Sequence, residues 1–274
     1  GAALDVFEQE PPWDSPLLEL EQCVFTAHLG GSTAEAQERA AQEIVKGVVD
    51  VLKGRAVRAA VNLPPLDADG LKVLGPYLTL AEKLGKLLSQ LVKGRATELA
   101  VEYSGEFPRE PRILGIAALK GLLDPILNEA LSFVAAPAVA KERGIRVTES
   151  VAPQPRDYLN LLTLVVRADG QTRVASGTTF GGEPRIVHLD GYRVDAVPAG
   201  HMFILKNVDV PGVIGHIATL LGENRINIAQ VTWGRDRPGG TAMTAINVDQ
   251  PPPQGLVDQI KALPYVLSAE QVAL

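Results

Sequence analysis

Cysteine is almost absent from the 274-residue sequence, which contains a single example, Cys23. One thiol can form neither a disulfide within the chain nor a cysteine-based zinc site, as is typical of proteins from a reducing compartment. Basic residues are outnumbered, because 26 Lys and Arg stand against 32 Asp and Glu, giving a net charge of −6. A nucleic-acid-binding protein normally presents a basic surface, so we expect no nucleic-acid partner.

Long hydrophobic runs are also missing, because charged residues interrupt the apolar stretches every few positions. A transmembrane helix needs about 20 consecutive apolar residues, and no secretory signal opens the chain. We therefore expect a soluble, cytoplasmic protein with no membrane partner. Apolar residues make up 46% of the chain, which is enough for packed cores, and the length suits about two domains.

The chain begins with Gly1, and its two methionines, Met202 and Met243, lie far downstream. The opening residues already have the character of a strand within a fold. We therefore expect a fragment of a longer protein, with an artificial start as the simpler alternative.

The first part of the chain has the pattern of two short strands followed by a long helix. Apolar runs at Ala2–Phe7 and Cys23–Phe25, joined through a proline-rich loop at Glu10–Pro12, predict two buried strands. The sequence Ser32-Thr33-Ala34-Glu35 predicts a capping box at a helix start. The following helix is expected to stop at Lys53-Gly54. Its predicted apolar face consists of Ala40, Ile44, Val48, Val51 and Leu52.

The middle part of the chain predicts a mixed α/β domain with an antiparallel sheet. Asn62-Leu63-Pro64-Pro65 indicates a domain boundary. Two Asp-Gly pairs, Asp169-Gly170 and Asp190-Gly191, separate alternating β-rich runs and are strong hairpin signals. The other predicted elements are a helix at Leu74–Leu91, a strand at Glu98–Tyr103, and helices at Ile113–Leu127 and about Asn128–Lys141.

The last part, from His201 to Leu274, has the element order βαββαβ. Such a unit forms a four-stranded antiparallel sheet with both helices on one face, leaving the other face or an edge for a partner. We expect the apolar strand Met202–Leu205 to be that edge. The predicted elements are a strand at Met202–Asn207, a helix at Val213–Gly222, strands at Ile226–Trp233 and Thr241–Val248, a helix near Leu256–Leu263 and a strand at Tyr265–Val272.

Three segments, GAALDVFEQEPP, SPLLELEQCVFTAHLGGSTAEAQ and VKGVVDVLKGRAVRAAVN, resemble the end of the cofactor domain in the D-3-phosphoglycerate dehydrogenases, within the D-isomer-specific 2-hydroxyacid dehydrogenases. The middle domain, with Ser176-Gly177-Thr178 and its Asp190-Gly191 hairpin, and the βαββαβ tail resemble the long form of that enzyme. The resemblance implies an α/β and α+β fold with three parts. These are a remnant of the NAD-binding/substrate domains (1–62), an intervening domain (63–199) and an ACT regulatory domain (200–274).

The resemblance assigns a catalytic pair, His28 as acid/base and Glu10 as its orienting partner. An imidazole can move a proton near neutral pH, as oxidation of a secondary alcohol requires. A neighbouring carboxylate would favour the charged imidazolium and fix the ring tautomer. Without the resemblance, a structural histidine at a strand end is the simpler interpretation of His28.

The resemblance also places Asp5, Gly30 and Gly31 beside the nicotinamide of NAD, while a strand-end cap and a tight turn are the structural alternatives. The sequence contains no G-x-G-x-x-G dinucleotide motif. The family's substrate-binding arginine is also expected upstream of Gly1. We therefore predict that this chain alone neither binds NAD usefully nor turns over substrate.

In the ACT-like tail, the resemblance implies a site for the feedback inhibitor L-serine. The free N–H groups at Val213 and its neighbours suit a carboxylate, Asp209 could meet the ammonium group, and Asn227 could reach in from a partner subunit. Asn207 stands where the members known to us have histidine or tyrosine. The alternative is that these are ordinary turn and cap residues.

Arginines in the middle domain could form an anion site, although a solvated sheet face is the simpler interpretation; they are Arg173, Arg185 and Arg193. The remaining histidines lack metal-ligand spacing, so no metal is expected; they are His188, His201 and His216.

Two functions fit these observations. The first is the carboxyl-terminal part of an NAD-dependent dehydrogenase that oxidises 3-phosphoglycerate to 3-phosphohydroxypyruvate in L-serine biosynthesis. The second is an amino-acid-sensing and oligomerisation module without catalysis. For either function we expect a homodimer or homotetramer.

Overall fold

The computed structural model describes residues 1–52, 68–107, 111–127, 131–155 and 157–274. They form two compact units, the first containing the described residues up to Leu52 and the second those from Ala68 onward. The predicted helix stop at Lys53-Gly54 and the boundary at residues 62–65 lie outside the described residues.

The first unit contains strands β1 (Ala2–Leu4) and β2 (Cys23–Phe25) and helix α1 (Ala34–Leu52). The two strands pair in parallel, with Ala2 opposite Cys23. They are not buried within this unit as predicted, since Val24 is 65% exposed. The apolar face of α1 is also open, with Ile44 67% exposed.

The start of α1 differs from the predicted capping box. Ser32 belongs to a short 3₁₀ turn at Gly30–Ser32, and the next residue, Thr33, has the extended backbone of an N-cap. The Thr33 hydroxyl accepts a hydrogen bond from the Ala36 N–H at 3.2 Å. The prediction of Ser32 as the cap was wrong because the preceding turn uses Ser32, which shifts the cap by one residue.

The second unit begins with a six-stranded sheet in the order β4-β3-β5-β6-β7-β8. Neighbouring strands are antiparallel except for β3 and β4, which are parallel. The elements are α2 (Ala68–Leu91), β3 (Ala96–Gly105), α3 (Arg112–Leu127), α4 (Ala136–Glu142), β4 (Arg146–Ala152), β5 (Asn160–Ala168), β6 (Gln171–Phe180), β7 (Glu183–Leu189) and β8 (Tyr192–Ala196).

Both predicted hairpins are confirmed. Asp169 and Gly170 join β5 to β6 with φ angles of 39° and 80°, and Asp190 and Gly191 join β7 to β8 with 48° and 85°. Two successive left-handed residues are the geometry that Asp-Gly adopts in a tight hairpin.

The helix expected near Asn128–Lys141 is shorter than predicted. Residues 128–130 lie outside the described residues, and α4 begins only at Ala136. Its second residue is Pro137, which fits the first turn of a helix because that turn needs no intrahelical N–H donor.

The final segment confirms the order βαββαβ. Its sheet has the order β10-β11-β9-β12 and is antiparallel throughout, and α5 and α6 pack against one face. The elements are β9 (His201–Val208), α5 (Val213–Glu223), β10 (Ile228–Arg235), β11 (Thr241–Val248), α6 (Leu256–Lys261) and β12 (Val266–Ala273).

The expectation that Met202–Leu205 forms a sheet edge was wrong, because β9 lies between β11 and β12. Phe203 and Leu205 pack towards the helices, while Met202 and Ile204, which point to the other face, are also buried. A strand covered on both faces has a continuous apolar run, which is typical of a central strand.

The sheet face without helices was expected to be available for a partner, but it packs against the preceding domain. Gln230 and Thr232 donate side-chain hydrogen bonds to the Asp195 carbonyl oxygen, at 3.2 and 2.8 Å. Gln90 on α2 exchanges two hydrogen bonds with the backbone of Ala273. The two domains of the second unit are therefore joined through a buried interface.

Candidate functional site

His28 and Glu10 lie together at the end of the short parallel sheet. The Nδ1 atom of His28 is 2.8 Å from Oε2 of Glu10. The other carboxylate oxygen, Oε1, accepts a hydrogen bond from the Phe7 N–H at 2.9 Å. Both carboxylate oxygens are therefore held, and Nε2 of His28 has no hydrogen-bond partner among the described residues.

The backbone holds His28 in position as well. Its N–H donates to the Asp5 carbonyl oxygen at 3.0 Å, and the Thr26 N–H donates to the Leu4 carbonyl oxygen at 3.1 Å. These bonds continue the pairing of the two strands past their ends. His28 then adopts a left-handed backbone with a φ of 54°, which is uncommon for a residue with a side chain.

Electrostatics couple the pair. The hydrogen bond to Glu10, followed by the negative charge of Glu10, raises the pKa of His28 above its ordinary value. The Phe7 N–H, followed by His28, lowers the pKa of Glu10. Both shifts favour a charged imidazolium beside a charged carboxylate.

Asp5 organises the loop that carries His28. Its Oδ1 atom accepts hydrogen bonds from the Thr26 hydroxyl and, at 2.7 Å, from the Leu29 N–H, while Oδ2 accepts one from the Gly30 N–H at 2.8 Å. The Thr26 hydroxyl, followed by the Gly30 and Leu29 amides, lowers the pKa of Asp5. These bonds are the ones expected of a strand-end cap.

The two glycines have different surroundings. A β-carbon added to Gly30 would lie 2.8 Å from Oδ2 of Asp5, whereas one added to Gly31 would meet nothing within 4 Å. Gly30 is therefore needed for the approach of Asp5, and Gly31 borders open space.

In the second unit, Asp209 lies in the loop between β9 and α5. Its Oδ2 atom accepts a hydrogen bond from the Gly239 N–H at 3.1 Å and lies 3.3 Å from Nη1 of Arg235. Val213 is the first residue of α5, and its side chain is buried in the core beneath the helix. Only its backbone can face a ligand.

Asn207 is directed inward. Its side chain is fully buried, with Nδ2 donating to the Val208 carbonyl oxygen at 2.8 Å and Oδ1 accepting from the Thr244 hydroxyl at 3.1 Å. Both polar ends are satisfied inside the domain, which places the side chain away from the surface.

Asn227 is exposed and lies far from Asp209 in the same chain. Its Nδ2 atom donates to Oδ2 of Asp249 at 2.6 Å. Strand β11 separates the two regions, because Thr241 pairs with Val208 at one end and Val248 with Ile228 at the other. Seven residue steps along a strand span about 24 Å, so one chain cannot bring both side chains to one small ligand.

The three arginines of the middle domain each face a different carboxylate. Arg173 lies 2.7 Å from Asp190, Arg185 lies 3.7 Å from Asp195, and Arg193 lies 3.5 Å from Asp157. This pairing favours the structural interpretation over a shared anion site.

Among the described residues, no group of three or more His, Cys, Asp or Glu could hold a metal ion. No helix in that part of the chain combines the length and the apolar character needed to cross a membrane.

Known families and proteins match the chain along its length. Residues 73–190 match the D-3-phosphoglycerate dehydrogenase intervening domain and residues 201–265 match the ACT domain. D-3-phosphoglycerate dehydrogenases from Archaeoglobus fulgidus and Synechocystis sp. are 41% and 40% identical over 100% of the chain, which covers 53% and 50% of their lengths. A relative of the same name from Bacillus subtilis is 35% identical over 100% of the chain and 53% of its own length.

The chain is similar to D-3-phosphoglycerate dehydrogenases along its whole length and matches their intervening domain, followed by an ACT domain. It corresponds to the carboxyl-terminal portion of those enzymes and spans about half the length of the curated relatives it matches. The expected mixed α/β fold with intervening and ACT domains is confirmed. The domain boundaries at residues 62 and 199, and the roles of the individual site residues, stay predictions.

Sequence reasoning missed two residues that the fold brings to these sites. Thr26 bonds to Asp5 across 21 residues, and Arg235 reaches Asp209 across 26. Thr26 lies two residues before His28, so its proximity to the predicted site was a usable signal. Nothing local in the sequence indicates the contact of Arg235, which depends on the fold of the hairpin between β10 and β11.

Proposed function

We propose that this chain supplies the proton-transferring histidine of an NAD-dependent dehydrogenase that oxidises 3-phosphoglycerate to 3-phosphohydroxypyruvate in L-serine biosynthesis. The observation that carries the proposal is the 2.8 Å contact between Nδ1 of His28 and Oε2 of Glu10. It supports a catalytic arrangement because it leaves Nε2 as the ring nitrogen that can exchange a proton with a substrate.

Oxidation of the secondary alcohol requires the loss of a hydride and of the hydroxyl proton. Bound NAD would supply the hydride acceptor, and Nε2 of His28 is positioned to take the proton. Glu10 holds the proton on Nδ1, which fixes the tautomer that has a free lone pair on Nε2. Glu10 then stabilises the imidazolium that forms, in agreement with the direction of the His28 pKa shift.

The described residues could form only one edge of an NAD-binding site. Gly31 borders open space and lets a cofactor approach the backbone. Asp5 already accepts hydrogen bonds on both carboxylate oxygens, so its part there is mainly to position the backbone at Leu29 and Gly30. Because the sequence has no G-x-G-x-x-G motif, we propose that NAD binding depends on the rest of the enzyme and that this chain alone is inactive.

Exposed apolar side chains in the first unit support the same proposal. Trp13 is 80% exposed, and Val24 and Ile44 are 65% and 67% exposed. Large exposed apolar side chains of this kind are typical of a region that packs against further protein.

The test uses the longer dehydrogenase that contains this sequence, with NADH formation from 3-phosphoglycerate as the readout. His28→Asn should lower kcat by a factor of about 10² to 10⁴, the range for loss of a general base. Glu10→Gln should lower kcat and shift the acid limb of the pH profile to lower pH. Glu8→Gln, which alters a neighbouring carboxylate in the same loop, is the matched control. Near-normal activity of His28→Asn would reject the catalytic role.

A second function is proposed for the ACT domain, namely the binding of an amino acid such as L-serine. Asp209 lies in the loop that leads into α5, four residues before Val213, and the N–H groups at Val213 and the following residues lack intrahelical partners by position. An ammonium group on Asp209 and a carboxylate on the helix N-terminus would match the two ends of an α-amino acid.

The sheet topology supports a site shared between two subunits. Strand β10 lies at an edge of the ACT sheet, its start follows Asn227, and its end, Arg235, lies beside Asp209. If two β10 edges pair antiparallel about a two-fold axis, the partner subunit's Asn227 comes to the Asp209 end. We therefore propose a homodimer or larger assembly formed through β10.

Calorimetric titration with L-serine, together with sedimentation, tests this function. Asp209→Asn and Asn227→Ala should each weaken binding at least tenfold, while Asn224→Ala, close to Asn227 in sequence, should bind normally. Sedimentation should show a species larger than the 29.1 kDa monomer. The absence of L-serine binding, or a monomer at micromolar concentration, would contradict the effector site or the shared assembly respectively.

A further inference from the structure

Asp209 forms an ion pair with Arg235 of its own chain. Nη1 of Arg235 lies 3.3 Å from Oδ2 of Asp209, and the Asp209 side chain is 15% exposed whereas that of Arg235 is 55% exposed. The carboxylate is thus largely enclosed, and the guanidinium reaches it from the solvent side.

The same carboxylate oxygen also accepts the Gly239 N–H. Arg235 is the last residue of β10, and Gly239 lies two residues before the start of β11. The Asp209 N–H in turn donates to the Gly240 carbonyl oxygen at 2.9 Å. The loop that leads into α5 and this hairpin are therefore tied together by three contacts.

Asp236 gives the hairpin a fixed shape. Its Oδ1 atom accepts hydrogen bonds from the N–H groups of Arg237, at 2.7 Å, and Thr241, at 2.8 Å. The Thr241 amide is the largest cause of the lowered pKa of Asp236. A charged Asp236 therefore closes the turn and presents Arg235 to Asp209 in a defined position.

We propose that Arg235 is an intramolecular competitor for the ammonium group of the ACT-domain effector, and so sets the concentration at which that effector binds. This proposal rests on the proposed effector function of Asp209. A guanidinium and an ammonium group are both attracted by the same negative charge, and a carboxylate neutralised by one attracts the other less. Effector binding therefore requires the Arg235 ion pair to weaken.

The competition also links effector binding to the hairpin. Asp209 holds Arg235 and the Gly239 amide with one oxygen, so a new cation on the carboxylate weakens the hold on both. The amide of Gly239 should then exchange hydrogen faster when the effector is bound, although ligands usually slow exchange near their sites. The rate of hydrogen exchange at Gly239 should therefore indicate whether the effector is bound at Asp209.

Titration of the intact chain with L-serine tests the competition. Arg235→Gln should tighten binding about two- to fivefold, the range expected for loss of a competing exposed ion pair. Arg237→Gln removes the same charge from the same hairpin and serves as the matched control, for which essentially unchanged binding is expected. Arg235 is largely exposed, and circular dichroism would verify that both variants are folded.

A second ligand separates two roles of Arg235. 3-Hydroxypropanoate has the carboxylate and hydroxyl of serine but no ammonium group, so Arg235→Gln should not tighten its binding. If Arg235 instead binds the effector's carboxylate, the substitution weakens binding of both ligands, and the proposal is overturned. Equal effects of Arg235→Gln and Arg237→Gln also overturn it, since they would show a general charge effect.

The proposed effector function fails by a different result. If neither the unaltered chain nor Arg235→Gln binds L-serine, there is no effector site and no competition at it. If L-serine binds to Arg235→Gln and not to the unaltered chain, Arg235 blocks the site completely and its role as a competitor is confirmed. Binding by the unaltered chain without tightening in Arg235→Gln preserves the effector function and rejects the competitor.

Discussion

Gly234 on β10 lies directly against the backbone of Arg193 on β8. A β-carbon added to Gly234 would stand 1.8 Å from the Arg193 carbonyl oxygen. The glycine therefore lets the ACT sheet approach the intervening domain more closely than any other residue type could. Since its neighbour Thr232 also bonds to β8, the close approach belongs to a continuous interface and not to an isolated contact.

Gly234→Ala should destabilise the chain by about 1–3 kcal/mol, because a methyl group must push two packed backbones apart. Chemical denaturation measures the effect. Gly222→Ala is the control, since its added β-carbon would meet nothing within 4 Å in α5, and a helical Gly→Ala change is neutral or stabilising. Equal stability of the two variants would show that the interface yields easily.

Asn247→Ala should loosen the connection between the two domains. Its Nδ2 atom donates to the carbonyl oxygens of Val197, at 2.9 Å, and Ala199, at 3.0 Å. Loss of these bonds should destabilise the chain by about 1–3 kcal/mol and speed amide hydrogen exchange around residues 197–200. Asn224→Ala, which removes one bond at a helix end, should leave exchange in this segment unchanged. Unaltered exchange in Asn247→Ala would contradict the prediction.

In an NMR titration, the pKa of His28 should lie above the ordinary histidine value and that of His188 below it. The hydrogen bond and charge of Glu10 raise the pKa of His28, whereas burial, followed by the charge of Arg193, lowers the pKa of His188. Glu10→Gln should lower the His28 pKa and leave that of His188 unchanged. A His28 that titrates identically in the variant would show that the pair does not form in solution.

The same shifts fix the pH window of the His28–Glu10 pair. Because the His28 pKa is raised on folding, its contribution to stability is complete below the unfolded pKa and is lost as pH rises through the folded pKa. Because the Glu10 pKa is lowered, its contribution is lost as pH falls through the folded value. The pair should therefore stabilise the loop only at pH values between the lowered pKa of Glu10 and the raised pKa of His28. Comparing the pH dependence of melting in the unaltered chain and in Glu10→Gln measures this window, and parallel curves would contradict it.

Gly30→Ala and Gly31→Ala form a matched pair. The first places a methyl group 2.8 Å from Oδ2 of Asp5, and the second places one in open space. Only Gly30→Ala should disturb the Asp5 bonds, which would appear as large shifts of the Leu29 amide signal and a rise in the Asp5 pKa. Similar spectra for both variants would show that Asp5 can move aside without loss.

The local signals in the sequence predicted the local structure well. Asp-Gly pairs produced the hairpins at Asp169 and Asp190 because two left-handed residues suit that dipeptide. The order βαββαβ followed from alternating periodicity and turn residues. The helix cap was predicted at Ser32 but is Thr33. A preceding 3₁₀ turn, which the pattern does not reveal, shifts the cap by one residue.

The candidate sites were less accessible to sequence reasoning. Resemblance singled out His28 and Glu10, and the structure brings them into contact, but their catalytic role stays a prediction. The resemblance placed Asn207 among the residues that would bind the effector, yet its side chain is buried and accepts a hydrogen bond from Thr244. The partners of Asp209 come from a hairpin more than 25 residues away, beyond the reach of any spacing rule.

By itself, the sequence determined the element order, the hairpin turns and the resemblance to known enzymes, because periodicity, turn chemistry and motif identity are properties of neighbouring residues. Only the tertiary structure decided that β9 is central, that the ACT sheet face without helices packs against the intervening domain, and that Asp209 contacts both Arg235 and the Gly239 N–H. These features depend on which distant surfaces exclude water from each other, and that choice is made by the whole chain at once.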